Sequence, residues 1–456
     1  MAGALIVATL AQAAPVAAPP PSVEGRPAPG QVSPLQALVD RAAPGERIVV
    51  PAGTYTGDLL IDRPVTLVGS GRPLLVGSGA GSVVRVRAAD VTIEGVDIDG
   101  INGGDLGRDS AGIHVAAAHA TIRDVHIRGT LFGIYLLASD DAVVEHNTIA
   151  GIPGLDPGEK GSGIHVWNSR RFHLIANDIV SVRDGFYIQS SSFGLVRGNT
   201  ARDLRYGLHY MFSDDNVFED NTFENGAAGA ALMYSERLTF RRNRFLRNRG
   251  FASVGLLLKE CDDIVAEDNL IADNARGVFL EGSYRNQFRR NVIAMSDMAL
   301  VIYDSSGGNT FEGNAFIGNL TPLSLSGHRT DTRFTGNYWS DNAAPDFDGD
   351  GISDTPYRLS SVFDHIRGNL IAADLFSHGV AALALGAAEQ AFPVLDPVQV
   401  TDARPLARPP LLEAVPTADA PAALARGGRA GAWGVLLLGA GVLAAGGRSW
   451  SAEGGR

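Results

Sequence analysis

The sequence predicts an all-β chain: a right-handed parallel β-helix with coils of about 22 residues and a C-terminal helical cap. Three observations predict it. Short apolar strands opened by glycine recur as GIHV at 112, GIYL at 133, GIHV at 163, GFYI at 185, GLHY at 207, GAAL at 229, GLLL at 255 and GVFL at 277, followed by degenerate copies at 299 and 322. The starts lie 21 to 30 residues apart, most often 22. An asparagine stands fourteen residues after most of these starts, at Asn147, Asn177, Asn199, Asn221, Asn243, Asn269 and Asn291, and Asn314 and Asn337 continue the series. Within each strand the first and third residues after the glycine are apolar, such as Phe186 and Ile188 or Leu208 and Tyr210. A strand alternates its side chains between two faces, so those positions fill an interior. A coil of this size cannot bury its inner face alone, and stacking makes one continuous core. Stacked asparagines can bond one another along the column, which satisfies amides buried at a turn.

The elements follow in chain order. Residues 1–14 are an apolar run of small residues ending in Ala11-Gln12-Ala13, read as an export signal, truncated or atypical because it lacks a basic start. Residues 15–34 are rich in Pro and Ala and read as a linker. The solenoid is expected over 35–362, with less regular first coils over 48–100 and an inserted loop over 152–162. DFDGDGISD, from Asp346, places Asp346, Asp348, Asp350 and Asp354 at ligand positions of a calcium loop, with Gly351 at the sharp turn. Tyr357 stands where such a loop has its bidentate glutamate, so a metal-free surface turn is the competing reading. A helical cap is expected over 363–392, from broad apolar coverage by residues such as Ile366, Leu370, Leu375 and Leu383. A Pro-rich linker is expected over 393–430. Residues 431–447 form an apolar run flanked by arginines, a candidate membrane anchor at the short limit for a span.

Function is to be sought on outward positions. The second residue after the glycine is His114, Tyr135, His165, Tyr187 and His209 in the first five strands, then Ala231, Leu257 and Phe279; the fourth includes Trp167, Met211 and Met233. Neighbouring coils lie about 4.8 Å apart, so these side chains are expected on one contiguous patch. GLHYMFSDDN, from Gly207, then has a clear polarity: Leu208 and Tyr210 inward, His209 and Met211 outward, with Met233 one coil along. Outward methionine gains little from water, and thioether with imidazole suits Cu(I). His209, Met211, Met233 and His165 are therefore the candidate copper ligands. Tyr135, Trp167 and Tyr187 are the candidate aromatic binding patch, which would stack sugars if the face were a carbohydrate groove. Cover by a loop or by the C-terminal segment would make the patch ordinary packing.

Composition excludes several classes. A net charge of −12 argues against a nucleic-acid partner. A single cysteine, Cys261, excludes an intramolecular disulfide and a thiolate cluster. The acidic pairs Asp140-Asp141, Asp214-Asp215 and Asp262-Asp263 recur at one turn of the coil and read as turn formers rather than a glycosidase pair. The chain has no Asp-Pro-His-Asp or Gly-His-Gly motif of the kind found in alginate epimerases and polygalacturonases, and no Walker A motif.

The solenoid, GLHYMFSDDN, the NYWSDNAAPDFDGDGISDTPYR segment from Asn337 and FPVLDP from Phe392 together resemble the NosD family, over about residues 35 to 410. The family motif falls on His209, Met211 and Asn216; Met233 rests on stacking alone. The resemblance implies a periplasmic accessory protein of nitrous oxide reductase maturation, handling transient Cu(I) and making no catalytic turnover of its own. It implies four partners: an ABC-type membrane permease, its ATPase, a membrane copper chaperone and nitrous oxide reductase itself. Two other readings stay open, a periplasmic polysaccharide-binding or polysaccharide-modifying β-helix and a structural docking scaffold.

Overall fold

A computed structural model describes residues 28–326, 330–359 and 400–410. Three long sheets run the length of the described solenoid, with 15, 13 and 12 strands, and each regular coil gives one strand to each. Pairing between successive coils is parallel and in register throughout, as in Phe186↔Leu208 and Tyr210↔Leu232. The architecture is the expected right-handed parallel β-helix. Its interior is one apolar column, in which Phe218 stacks on Phe240 at 4.5 Å and Phe288 on Phe311 at 4.4 Å.

The asparagine column forms as the spacing predicts. From Asn147 onward each amide donates its Nδ2 to the next coil's Oδ1, and the same oxygen accepts the backbone N–H. These residues are fully buried, so the ladder supplies the partners that a corner cannot draw from sheet pairing. A parallel serine column does the same at another corner, with Cys261 in a serine's place.

Sharp corners need a left-handed residue, and side chains there strain the backbone unless something compensates. Arginine on aspartate does so here. Asp141, Arg171, Asp215, Arg237, Asp263 and Arg285 are all left-handed, and each arginine forks onto the aspartate one coil before it. The acidic pairs at 140, 214 and 262 also accept the next coil's backbone N–H, as turn formers should.

The ends differ from expectation. Residues 28–34 belong to the fold rather than to a linker: Val32 bridges Asp58 in parallel, and Ser33 is buried. A short helix, Gln36–Arg41, then covers the first coil with Leu35 and Val39. At the other end Thr401–Asp402 forms a strand, parallel to the last coil and antiparallel to Tyr357–Arg358. The linker expected over 393–430 therefore does not hold for residues 400–410. Asp402 ends the asparagine column, its carboxylate accepting from both nitrogens of Asn337. The export signal, the helical cap at 363–392 and the apolar run at 431–447 lie outside the described residues.

Candidate functional site

The site lies on the outer face of the 12-stranded sheet. Eight of its strands open at a glycine with no room for a side chain: a Cβ on Gly207 would sit 2.5 Å from the Gly229 carbonyl oxygen and 2.7 Å from Phe223. Asp184, just before Gly185, meets His209 of the next coil, with Asp184 Oδ2 3.1 Å from His209 Nδ1.

Asp184 is 0% exposed and is held by two arginines and the His209 ring. Arg205 forks onto both its oxygens at 2.9 and 2.6 Å, and Arg183 approaches at 3.4 Å. Burial pulls its pKa up, but the hydrogen bonds from His209 and Arg205 outweigh that and hold the carboxyl below the usual range. His209 Nδ1 faces both this carboxylate and Arg205 Nη2, the latter at 3.3 Å, and Nε2 has no hydrogen-bond partner among the described residues. The imidazole is wedged edge-on between Tyr187 and Tyr206, with ring planes 87° and 83° from its own, and 12% of its side chain is exposed.

Met211 lies two residues beyond His209 on the same face, in register with Met233 of the next coil. Both are half-buried. The outer-face neighbour of His209 in that coil is Ala231. Phe212 and Tyr234, the next residues, are left-handed, exposed and stacked on each other at 5.0 Å. The structure thus gathers His209, Met211 and Met233 on one outer face.

It does not gather His165 with them. His165 lies one coil away from Tyr187 and two from His209, stacked between Tyr135 at 4.2 Å and Tyr187 at 4.4 Å. Tyr187 stands between the two histidines. Burial, with Arg183 nearby, pushes the His165 pKa down to about 3. Its Nδ1 is buried without a hydrogen-bond partner among the described residues. His165 is a stacking element of the face rather than an outward ligand.

Tyr135 also departs from expectation, at 1% exposed. Leu131, Phe132 and Ile152 bury it, with Leu106 and Leu155 from two loops packed alongside. Of the expected aromatic patch, Tyr187 is half-buried with its hydroxyl donating to Gln189, and Trp167 alone is well exposed, at 42%. A sugar would find one ring here, not three. Asn216 is wholly structural: its Oδ1 takes the Gly194 N–H, and Nδ2 donates to the Ser191 carbonyl and the Tyr210 hydroxyl.

In the acidic loop Asp346, Asp348 and Asp350 bring carboxylate oxygens within 4.8 Å of one another. Asp354 turns instead to accept the Phe347 N–H. The other three also accept loop N–H groups, from Gly349, Gly351, Asp350 and Ile352. Three of the four expected ligands converge, in a turn their own hydrogen bonds already close.

On the sequence Asp184 is only a possible carboxylate facing the outer patch, as Glu281 is, and neither its contact with His209 nor the part of Arg205 was read. The available signal was a carboxylate immediately before a coil glycine, where the following coils carry Tyr206, Ala228 and Val254.

Fold and site together define a parallel β-helix with a soft-donor cluster on one outer face. A family profile described as "Periplasmic copper-binding protein (NosD)" matches residues 151–344. The "Probable ABC transporter binding protein NosD" of Pseudomonas aeruginosa is 30% identical over 407 residues, covering 85% of this chain and 94% of that one. The protein of the same description from Stutzerimonas stutzeri is 28% identical over 383 residues, covering 79% and 86%. The chain belongs to the NosD family. Among solved structures, a family 28 exopolygalacturonase of Yersinia enterocolitica superposes with a TM-score of 0.51 at 13% identity, over 68% of this chain and 75% of that one. An alginate lyase superposes with the same score at 15% identity, over 66% and 81%. Those likenesses show the fold alone. Among the described residues no helix is long and apolar enough to cross a membrane.

Proposed function

We propose that this chain is a periplasmic accessory protein that receives Cu(I) and passes it on during maturation of nitrous oxide reductase, without catalytic turnover. One observation carries the reading: Met211 and Met233 stand in register beside an imidazole whose Nδ1 is engaged and whose Nε2 is not. Two thioethers and one imidazole make a low-coordinate soft site, suited to Cu(I) and to its release by ligand exchange. The rigid solenoid would present that site to partners: an ABC-type permease with its ATPase, a membrane copper chaperone as donor and the reductase as acceptor. The relatives' description as a probable ABC transporter binding protein supports that part of the reading.

The test is an anaerobic Cu(I) competition titration of the full chain, its Met211→Ala/Met233→Ala variant and its Trp167→Ala variant. Copper handling predicts stoichiometric uptake, lost in the double methionine variant and kept in the tryptophan variant. Failure of the unmodified chain to compete for Cu(I) would sink the reading and leave a docking scaffold. The polysaccharide reading predicts oligosaccharide binding that depends on Trp167 and is indifferent to Met211.

A further inference from the structure

The copper reading leaves one charged group unused. Asp184 is a fully buried carboxylate in a column where Ser162 precedes it and Tyr206, Ala228 and Val254 follow. Burying a carboxylate is costly, and a buried ion pair can often be replaced by apolar residues without loss of stability. Stability alone therefore does not account for an aspartate here.

We propose that Asp184 is the positioning residue of the copper cluster: with Arg205 it keeps the His209 proton on Nδ1 and so presents Nε2 as the donor beside Met211 and Met233. The proposal rests on the copper reading above and adds to it the group that sets the ligand.

The geometry supports one proton arrangement. Arg205 donates Nε and Nη2 to the two oxygens of Asp184 at 2.9 and 2.6 Å, which keeps the carboxylate from turning. Two groups face His209 Nδ1: the Asp184 oxygen at 3.1 Å, which can only accept, and Arg205 Nη2 at 3.3 Å, which can only donate but is already engaged with Asp184 at 2.6 Å; the shorter contact assigns the hydrogen to Nδ1. A neutral imidazole has one N–H, so the lone pair lies on Nε2. Ligating histidines commonly bond a carboxylate through their other nitrogen, which fixes ring orientation and raises donor basicity. Tyr187 and Tyr206 then hold the ring edge-on, which limits rotation about its bond to the backbone. The wedge and the carboxylate fix orientation and proton separately. Arg205 also lies over the Tyr206 ring at 4.3 Å, so the cation that steadies Asp184 is itself held.

The test uses Asp184→Asn in the full chain. Arg205 can donate only to the amide oxygen of an asparagine, which turns the NH₂ toward His209 and makes Nδ1 the acceptor. The proton then moves to Nε2 and removes the lone pair from the cluster. Nitrogen-15 NMR of the copper-free His209 ring, at the alkaline end of a pH series where its signals no longer change, should show Nδ1–H in the unmodified chain and Nε2–H in the variant. Cu(I) affinity should fall by roughly 10- to 100-fold. A second variant, Asp184→Leu/Arg205→Met, removes both buried charges and guards against misfolding of the first. It should show a mixture of the two ring forms and an intermediate affinity.

A variant that keeps Nδ1–H, or moves the proton with unchanged affinity, overturns the positioning role. An unmodified chain that shows Nδ1–H yet takes up no Cu(I) overturns the copper reading instead, and with it the use assigned to Nε2.

Discussion

His165 lies face to face with Tyr135, ring centroids 4.2 Å apart and planes 6° apart, in an apolar stack that favours its neutral form. The pKa is lowered from 6.5 to about 3, mainly by burial. Below pH 6.5 the unfolded chain takes a proton that the folded chain refuses. The stabilisation is complete above about pH 6.5 and is lost as pH falls toward 3, by at most about 1.4 kcal/mol per pH unit. His114, also lowered by burial, acts in the same direction. His165→Phe keeps a ring in the stack and removes the proton. Unfolding free energies from urea titrations should match within about 1 kcal/mol at pH 8, and at pH 4 the variant should be the more stable by about 2 kcal/mol. Parallel pH profiles for the two proteins would show that His165 is not buried as a neutral ring.

The stack also marks where sequence reading stops. The period of the strands and the asparagine spacing are local regularities, and the coils, their register and the buried ladder were legible from them. So was the outward side of His209 and Met211, because alternation within a strand needs no knowledge of its neighbours. Tyr135 obeys the same alternation, yet loops carrying Leu106, Ile152 and Leu155 fold over it. Loops outside the repeat have no period, so nothing in the pattern announces what they cover. The link from Asp184 to His209 was illegible for a different reason. It joins the position before one coil's glycine to the second position after the next coil's glycine, which alternation within a strand treats separately.

Cys261 occupies a serine's place in its corner column, its thiol directed at the Lys259 carbonyl while its N–H donates to Ser283. Burial pushes its pKa up to about 12, which leaves no thiolate to bind copper at neutral pH. Cys261→Ser should restore the neighbouring pattern, with stability unchanged to within about 1 kcal/mol. Cu(I) stoichiometry should also stay the same in the anaerobic titration. A lost equivalent of copper would place the thiol in the site and contradict its burial.

Arg242 is left-handed and forks onto Asp220 at 2.7 and 3.0 Å. Two opposing effects can be separated by what replaces it. Losing an exposed ion pair costs about 0–1 kcal/mol. A left-handed non-glycine residue costs about 1–2 kcal/mol that glycine avoids. Arg242→Ala should therefore destabilise more than Arg242→Gly, by about 1 kcal/mol in paired denaturant titrations. Equal losses would mean that corner strain is not what the arginine–aspartate forks offset.

Asp402 gives the strongest test of how the solenoid ends. Its Oδ2 accepts from Asn337 N, Asn337 Nδ2 and Trp339 Nε1 at 2.9, 2.9 and 3.3 Å, and Oδ1 accepts from Gly336 N and Arg404 N at 3.1 Å each. Five donors converge on two oxygens. Asparagine offers one oxygen and sets an NH₂ against the remaining donors, so Asp402→Asn should cost about 1–3 kcal/mol. Asp402→Ala leaves more buried donors without a partner and should cost more. In a solenoid each coil is coupled mainly to its neighbours, so the loss should be local. Hydrogen exchange should quicken at Asn314 and Asn337 and leave Asn177 and Asn199 protected. Uniform quickening along the column would show that the asparagine ladder opens as one unit, and the strand at Thr401–Asp402 would then stabilise the whole solenoid rather than its last coils.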